Sequence, residues 1–317
     1  MSTSPLTRSA PARYLEPTIA AHPRAAHGRG AGRPPGPGRG RHRGAARPRR
    51  RLREGDVAET VQIERDNGVA CLTVTRPEVK NALDLATIEA LSGVVDTLAQ
   101  DAALRAVVLT GAGNTFISGG DLKDFLRLED GQAGKRMARR MQSVLARLEA
   151  LEVPVLAALE GAALGGGAEV ALACDMRVAA ETARIAFKQV SLGIMVGWGG
   201  GQRLLRIVGR SRALRLLLTG ATLTAREALA IGLVDEVVPA GEARGAALRL
   251  AAEIAAQPAA SVRATKRALH HGAELSRAAA AAFEGECFAG LWAGPDHRRA
   301  LTALMGPRPR SVKEEEP

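Results

Sequence analysis

Between residues 61 and 75, apolar and polar positions alternate in VQIER and then become mostly apolar in VACLTVT, with Asn67-Gly68 between the two runs. Two such runs joined by Asn-Gly predict a β-hairpin, because both residues accept the left-handed backbone that a two-residue turn demands. LATIEALSGVVDTLAQ (85–100) spaces its apolar residues three and four apart and predicts an amphipathic helix. RAVVLTG (105–111), VLAALE (155–160), MRVAAE (176–181) and LVDEVVP (233–239) are short apolar runs, read as buried strands. A long helix is expected from about 134 to 151, stopped before Pro154. Beyond residue 200, QRLLRIVG, SRALRLLLTG and AREALAIG read as short helices punctuated by glycine, and residues 241–304 as helices with apolar faces. The pattern predicts an α/β core followed by a helical C-terminal region.

Charge changes this picture at one end only. Residues 1–55 hold thirteen arginines, no lysine and two acids, whereas the rest of the 317-residue chain holds 31 basic and 31 acidic residues. The high isoelectric point therefore describes a tail rather than a domain. GRGAGRPPGPGRGRHRGAARPRRR, at the tail's centre, is dense in Gly, Pro and Arg and lacks apolar period, so residues 1–55 are expected to be disordered. A transit peptide would need an amphipathic helix that this Pro and Gly density forbids. Non-specific binding of nucleic acid or another polyanion remains open. Composition favours an extension with no folded role.

Cys71, Cys174 and Cys287 are too widely spaced for a zinc or disulfide framework. No run approaches the ~18 apolar residues of a membrane span, and no secretory segment is evident, so a reduced, cytoplasmic protein is expected. Familiar chemistries are then eliminated in turn. No glycine cluster continues as a P-loop. The dinucleotide fingerprint fails at Val170 and again at Leu204, and Ser118 lacks the nucleophile-elbow frame because Phe116 stands where a glycine belongs. Three of the six histidines lie in the tail and the others, His270, His271 and His297, near the C-terminus, which argues against a histidine triad or a metal centre.

Two strand-to-helix junctions remain: Ser118-Gly119-Gly120-Asp121 in LTGAGNTFISGGDLKDF, and Gly165-Gly166-Gly167 in EGAALGGGAEV. Each puts small residues where the first amides of a helix have no partner and point outward. Two such N–H groups converging on one oxygen would stabilise developing negative charge. Glu169, three residues after Gly166 on an otherwise apolar helix, falls on the face nearest that amide. Burial there would raise its pKa toward the range useful for proton transfer. Close helix packing with a paired glutamate explains the second junction equally well on its own; two junctions together favour a site.

TRPEVKNALD, TFISGGDLKDF, EGAALGGGAEVALACDMRVAAE, GWGGGQRLLRIVG and EALAIGLVDEVV stand in the order and spacing of the crotonase (enoyl-CoA hydratase/isomerase) superfamily, which residues 60–310 resemble. The resemblance implies a ββα spiral core at 56–255 and a helical trimerisation region at 256–317, assembling as a trimer or hexamer. It implies an acyl-CoA substrate, with coenzyme A arriving as part of that substrate and no separate cofactor or metal. It implies oxyanion amides from Ser118 and Gly166 and a catalytic carboxylate at Glu169. Lys80, Ala82, Ser118, Gly119, Gly120 and Asp121 would line the CoA site, with Lys80 near a phosphate or simply solvated. Trp198 would line the acyl pocket or belong to the core.

One motif departs from the pattern. Where a hydratase carries its second glutamate, ARIAFKQVSLG has Gln189, preceded by Lys188 instead of proline. An amide orients water or a substrate oxygen but does not carry protons. The combination also resembles the ethylmalonyl-CoA decarboxylase branch, where loss of CO2 makes the enolate and a second carboxylate is unnecessary. The expectation is an acyl-CoA enzyme that stabilises a thioester enolate, of hydratase/isomerase type. Decarboxylation is the alternative, and polyanion binding through the tail a distant third.

Overall fold

The computed structural model describes residues 60–305. The Arg-rich segment 1–55 lies outside them. The chain enters through an antiparallel hairpin of β1 (Val61–Asp66) and β2 (Val69–Val74), whose turn residues Asn67 and Gly68 take φ of 46° and 82°. These positive values match the Asn-Gly expectation.

Helix α1 (Leu85–Ala99), capped by the Asp84 carboxylate, leads to β3 (Ala106–Gly111), β4 (Thr115–Ile117), the short α2 (Leu122–Phe125) and the long α3 (Gly131–Glu149). Then come β5 (Val155–Leu159), β6 (Ala162–Leu164) and α4 (Gly166–Leu172), followed by β7 (Met176–Ala180), β8 (Arg184–Ala186) and α5 (Gly200–Val208). Each strand–strand–helix repeat therefore gives one strand to each of two sheets. The six-stranded sheet runs β1-β2-β3-β5-β7-β10 and the four-stranded sheet β4-β6-β8-β9, with β10 at Glu236–Val238 and β9 at Thr222–Thr224. Within the repeats, β3, β5 and β7 pair in parallel, as do β4, β6 and β8. This stepwise winding is the ββα spiral that the resemblance implies.

Period-two alternation divides the core. Val69, Cys71, Ala106, Val108, Leu156, Ala158, Val178 and Ala180 face α8 (Ala243–Ala255), whose Ala243, Ala246, Ala247 and Ala251 admit close approach. The intervening residues, such as Leu72, Val107, Leu109, Ala157 and Leu159, pack on the other side with Ile88, Leu91, Val95, Met141 and Leu145 from α1 and α3. Helices α6 (Arg210–Thr219) and α7 (Ala225–Ala230) complete this part.

Beyond Ala251 the only buried apolar residues among those described are Ala264 and Cys287. They belong to α9 (Ala259–Gly272) and α10 (Arg277–Leu291), which precede α11 (Pro295–Met305). The C-terminal helices thus carry apolar faces with little among the described residues to cover them. All three cysteines are buried and unpaired. No helix among the described residues is long and apolar enough to cross a membrane.

Two readings need correction. The four-stranded sheet went unforeseen, because three-residue strands are too short to show a period. The strand expected at 233–239 narrows to 236–238, with Leu233 and Val234 buried in the preceding turn instead.

Candidate active site

The three glycines before α4 serve two different needs. Gly165 has φ 54° and ψ −119°, a combination that a side chain disfavours, and its N–H donates to the Ala186 carbonyl at 2.8 Å. Gly166 and Gly167 are small because of their neighbours. A Cβ on Gly166 would lie 2.1 Å from the Trp198 ring, and one on Gly167 would lie 1.8 Å from the Ile117 carbonyl oxygen. The ring of Trp198 therefore walls the Gly166 backbone. The Gly166 N–H, at the helix start, meets no acceptor among the described residues.

The first junction is organised by pairing. Leu83 forms a parallel bridge with Gly120, its N–H donating to the Gly119 carbonyl at 2.8 Å and its carbonyl accepting from Asp121 N at 2.9 Å. In that pattern the central residue directs its own N–H away from the bridge. Gly120 N–H accordingly has no acceptor among the described residues. Gly119, with φ 118°, brings the two junctions together: a Cβ on it would stand 3.5 Å from the Gly166 nitrogen and 3.1 Å from the Leu164 oxygen.

This corrects the expectation for Ser118. Its amide donates to the Lys80 carbonyl at 3.1 Å and is occupied by that bond. The amides of this junction without an acceptor among the described residues are those of Gly119 and Gly120, and the Gly120 N–H is the one turned away from the Leu83 bridge. Lys80 itself is exposed and left-handed, with φ 55°, and its N–H donates to Pro77 O. Ala82 is buried and gives its carbonyl to Arg76. Asp121 is tied to Arg76 at 3.1 Å and accepts the amides of Lys123 and Asp124, so its side chain caps α2.

Glu169 is 1 % exposed. Its Oε1 accepts the amides of Trp198 at 2.8 Å and Gly200 at 2.9 Å, while its Oε2 accepts Gln189 Nε2 at 2.8 Å. Gly200 opens α5, and a Cβ there would stand 2.4 Å from Glu169 Cγ, so only glycine lets that helix start reach the carboxylate. Burial pushes the Glu169 carboxyl above its ordinary value of 4.5; the amides of Gly200, Trp198 and Gly197 and the Gln189 side chain oppose the rise. The result is a buried carboxylate held by donors yet primed to take a proton. Lys188 has a separate task, donating to the Gly220 carbonyl at the end of α6 at 2.6 Å.

The structure thus gathers Gly166, Glu169, Gln189 and Trp198 and sets the Gly119-Gly120 backbone beside them. It leaves Lys80 at the surface and turns Ala82 and Asp121 to scaffolding. Four residues shape the site in ways the sequence did not show. Gly200 had a signal, since GWGGG repeats the small-residue helix start of ALGGG. Asn81, fully buried, donates Nδ2 to the carbonyls of Ala112 at 2.9 Å and Thr115 at 2.8 Å. Arg76 also pairs with Asp84 at 3.0 Å, and Arg203 with Glu149 at 2.7 Å. Asn81 Nδ2 and Arg203 find these partners more than 30 positions away, and Arg76 reaches Asp121 45 positions on, with no local pattern to reveal them.

Two open amides near a buried, donor-held carboxylate, carried on a ββα spiral, define a crotonase-type enzyme acting on acyl-CoA thioesters. The enoyl-CoA hydratase/isomerase family matches residues 64–310. The chain is 37 % identical over 249 residues to the short-chain-enoyl-CoA hydratase of Clostridium acetobutylicum, covering 78 % of this chain and 95 % of that protein. It is 36 % identical over 251 residues to the 2,3-dehydroadipyl-CoA hydratase of Escherichia coli, covering 79 % and 97 % respectively. The solved enoyl-CoA hydratase of Bacillus anthracis superposes with a TM-score of 0.75 at 33 % identity, over 77 % of this chain and 95 % of that one. The chain belongs to the enoyl-CoA hydratase/isomerase family, and its function is of that type.

Proposed function

We propose that the protein adds water across the Cα=Cβ bond of an enoyl-CoA, with Glu169 as the only proton carrier. The carrying observation is the pair itself: Glu169 meets an amide, Gln189, at 2.8 Å where a second carboxylate would otherwise share the work. The thioester oxygen accepts from Gly120 and Gly166. Ionised Glu169 takes one proton from water as the water oxygen bonds to Cβ, and the π electrons move onto the thioester as an enolate. Glu169 then gives that proton to Cα and returns to the carboxylate. One water is consumed, and it supplies both the hydroxyl at Cβ and the hydrogen at Cα. The two amides stabilise the enolate oxygen, each worth roughly 3–4 kcal/mol by the usual cost of removing such a donor.

Incubation with α,β-unsaturated and α-carboxylated acyl-CoA panels, read by mass spectrometry, tests this. Gain of water on the first panel is expected. Loss of CO2 on the second without hydration of the first would favour the ethylmalonyl-CoA decarboxylase resemblance instead. The hydratase names of the compared relatives support hydration.

We further infer a trimer, or a hexamer built from trimers, with the C-terminal helices as the contact. The exposed rings of Phe288 and Trp292 lie 5.3 Å apart, tilted at 40°, and Leu304 and Met305 are each 82 % exposed. A second copy is the natural cover for such a surface. A monomer in light scattering at micromolar concentration would overturn it.

A further inference from the structure

Trp198 meets the site through its backbone and through its ring. Its N–H donates to Glu169 Oε1 at 2.8 Å, and the ring walls Gly166. The wall is the benzo edge: Cζ3, Cη2 and Cε3 stand 2.1, 2.5 and 2.7 Å from the position of a Cβ on that glycine. The opposite edge carries Nε1 and is held by α3, where the indole N–H donates to Met137 Sδ at 3.3 Å. Trp198 is 5 % exposed, so this donor needs a partner within the protein. A thioether is a weak acceptor, but its soft, long-bonded sulfur adapts to an aromatic edge.

Met137 lies one turn before the fully buried Met141, so it extends the inward face of α3 toward the site. The same helix backs the residue before Trp198. Gln142 Nε2 donates to the Gly197 carbonyl at 2.6 Å, and the position of a Cβ on Gly197 is 3.8 Å from Ala138 Cβ. Helix α3 thus holds this segment by backbone and by ring. We propose that Met137 is a positioning residue for the oxyanion donor: it fixes the rotation of the Trp198 ring, and the ring fixes the Gly166 amide. A ring released at Nε1 can turn, withdraw its benzo edge from Gly166 and give that peptide room to tilt. The loss falls on the enolate, which needs the amide more than the ground-state thioester does. The proposal rests on the reading of Gly166 as a donor to the thioester oxygen.

Met137→Leu conserves volume and removes the acceptor. In the full chain it should lower kcat on an enoyl-CoA about tenfold, short of the ~10²–10³-fold cost of deleting a donor, with KM unchanged. Met137→Gln returns an acceptor at similar length and should restore most of the rate. The direct readout is the infrared carbonyl stretch of bound butyryl-CoA labelled with carbon-13 at the thioester carbon. Hydrogen bonds to that oxygen weaken the C=O bond and lower its frequency. The lowering should be full in the unaltered protein and in Met137→Gln, and smaller in Met137→Leu. A frequency and kcat unmoved in Met137→Leu, whatever its Tm, would make Met137 a packing residue and overturn the proposal alone. So would a Met137→Gln variant as slow as Met137→Leu. A stretch that is not lowered even in the unaltered protein overturns the reading of Gly166 as a donor, and the proposal with it.

Discussion

The two junctions that meet at the site present the same feature, an open amide near a helix start, and reach it by opposite means. The first is fastened by polar cross-links. Arg76 reaches Asp84, Asp121 and the Ala82 carbonyl, and Asn81 bonds three carbonyls of residues 112–116. The second is fastened by contact: glycines against Trp198 and Ile117, and a buried carboxylate against Gly200. A cross-link is directional and some of its strands are redundant, whereas a steric fit leaves no room to give. The first junction should therefore yield gradually to substitution, and the second abruptly.

The largest effect expected lies in the second junction. Glu169→Gln removes the proton carrier and should lower kcat by about 10²–10⁴-fold. Stability should move the other way. Because burial raises the folded-state pKa, the ionised form is disfavoured in the fold, a cost that sets in as pH climbs from the ordinary carboxylate value through the raised one. Glutamine escapes that cost. Its oxygen can accept the Trp198 and Gly200 amides, and Gln189 can turn its carbonyl toward the new NH2. The variant's Tm should exceed that of the parent at pH 8, with the gap closing toward pH 4. A Tm well below the parent's at pH 8 would mean that Glu169 holds the junction together as well as working in it.

Next come two substitutions that set the junctions against each other. Gly166→Ala drives a methyl into the Trp198 ring, so overpacking of about 1–3 kcal/mol is expected. The displaced amide should cost about 10²-fold or more in kcat/KM. Arg76→Met strands Asp84 and Asp121 in part-buried positions, but Asn81 and the Leu83–Gly120 bridge remain. A fall of about tenfold or less in kcat/KM is expected, since an oxyanion donor is loosened rather than lost. Equal damage from both, in parallel steady-state assays and melts, would erase the contrast between fit and fastening.

A smaller effect sharpens the contrast from the far side of Glu169. The Arg203 guanidinium grips Glu149 at 2.7 and 3.0 Å and donates to the Trp198 carbonyl at 3.2 Å, steadying the segment whose amides hold Glu169. Arg203→Met should leave those amides less well aimed. Because they oppose the rise in the Glu169 pKa, weakening them moves the rate–pH limb to higher pH. The proton-accepting form is the one that starts hydration, so activity is lost first at low pH. An unshifted limb with a lower plateau would make Arg203 a packing residue only.

The same contrast governs what could be read ahead of the structure. The hairpin, α1, α3 and the long strands carry periodic signals, and the glycine-rich helix starts, Glu169 and Gln189 sit in compact motifs. The three-residue strands of the second sheet carry no period, so they were invisible. At the second junction the groups brought together around Glu169 include Gly166, Gln189 and Trp198, all of which stand in compact motifs of the sequence. At the first, Ser118 is set apart from Gly119 and Gly120 because its amide alone pairs with residues 80–83. That is decided by Arg76 and Asn81 through contacts 30 to 45 positions away. Local pattern points to the loop but does not reveal that the Ser118 amide is already bonded to the Lys80 carbonyl.

The smallest expected effect addresses that loop. The Ser118 hydroxyl makes one long contact, 3.4 Å to the Val79 carbonyl, while its amide is committed to Lys80. Ser118→Ala keeps the amide and deletes the weak contact, so stability should stay within about 0.5 kcal/mol and kcat/KM should be unchanged. That result alone would not separate Ser118 from Gly120, because alanine has the same N–H. The separating measurement is a crystal structure of the full chain with a saturated acyl-CoA. Its thioester oxygen should lie within ~3 Å of both Gly120 N and Gly166 N, with the Ser118–Lys80 bond intact. A thioester oxygen on Ser118 N, with the Lys80 carbonyl swung away, would make the first junction a hinge instead of a fixed cross-link. The polar fastening of Arg76 and Asn81 would then be what limits its swing.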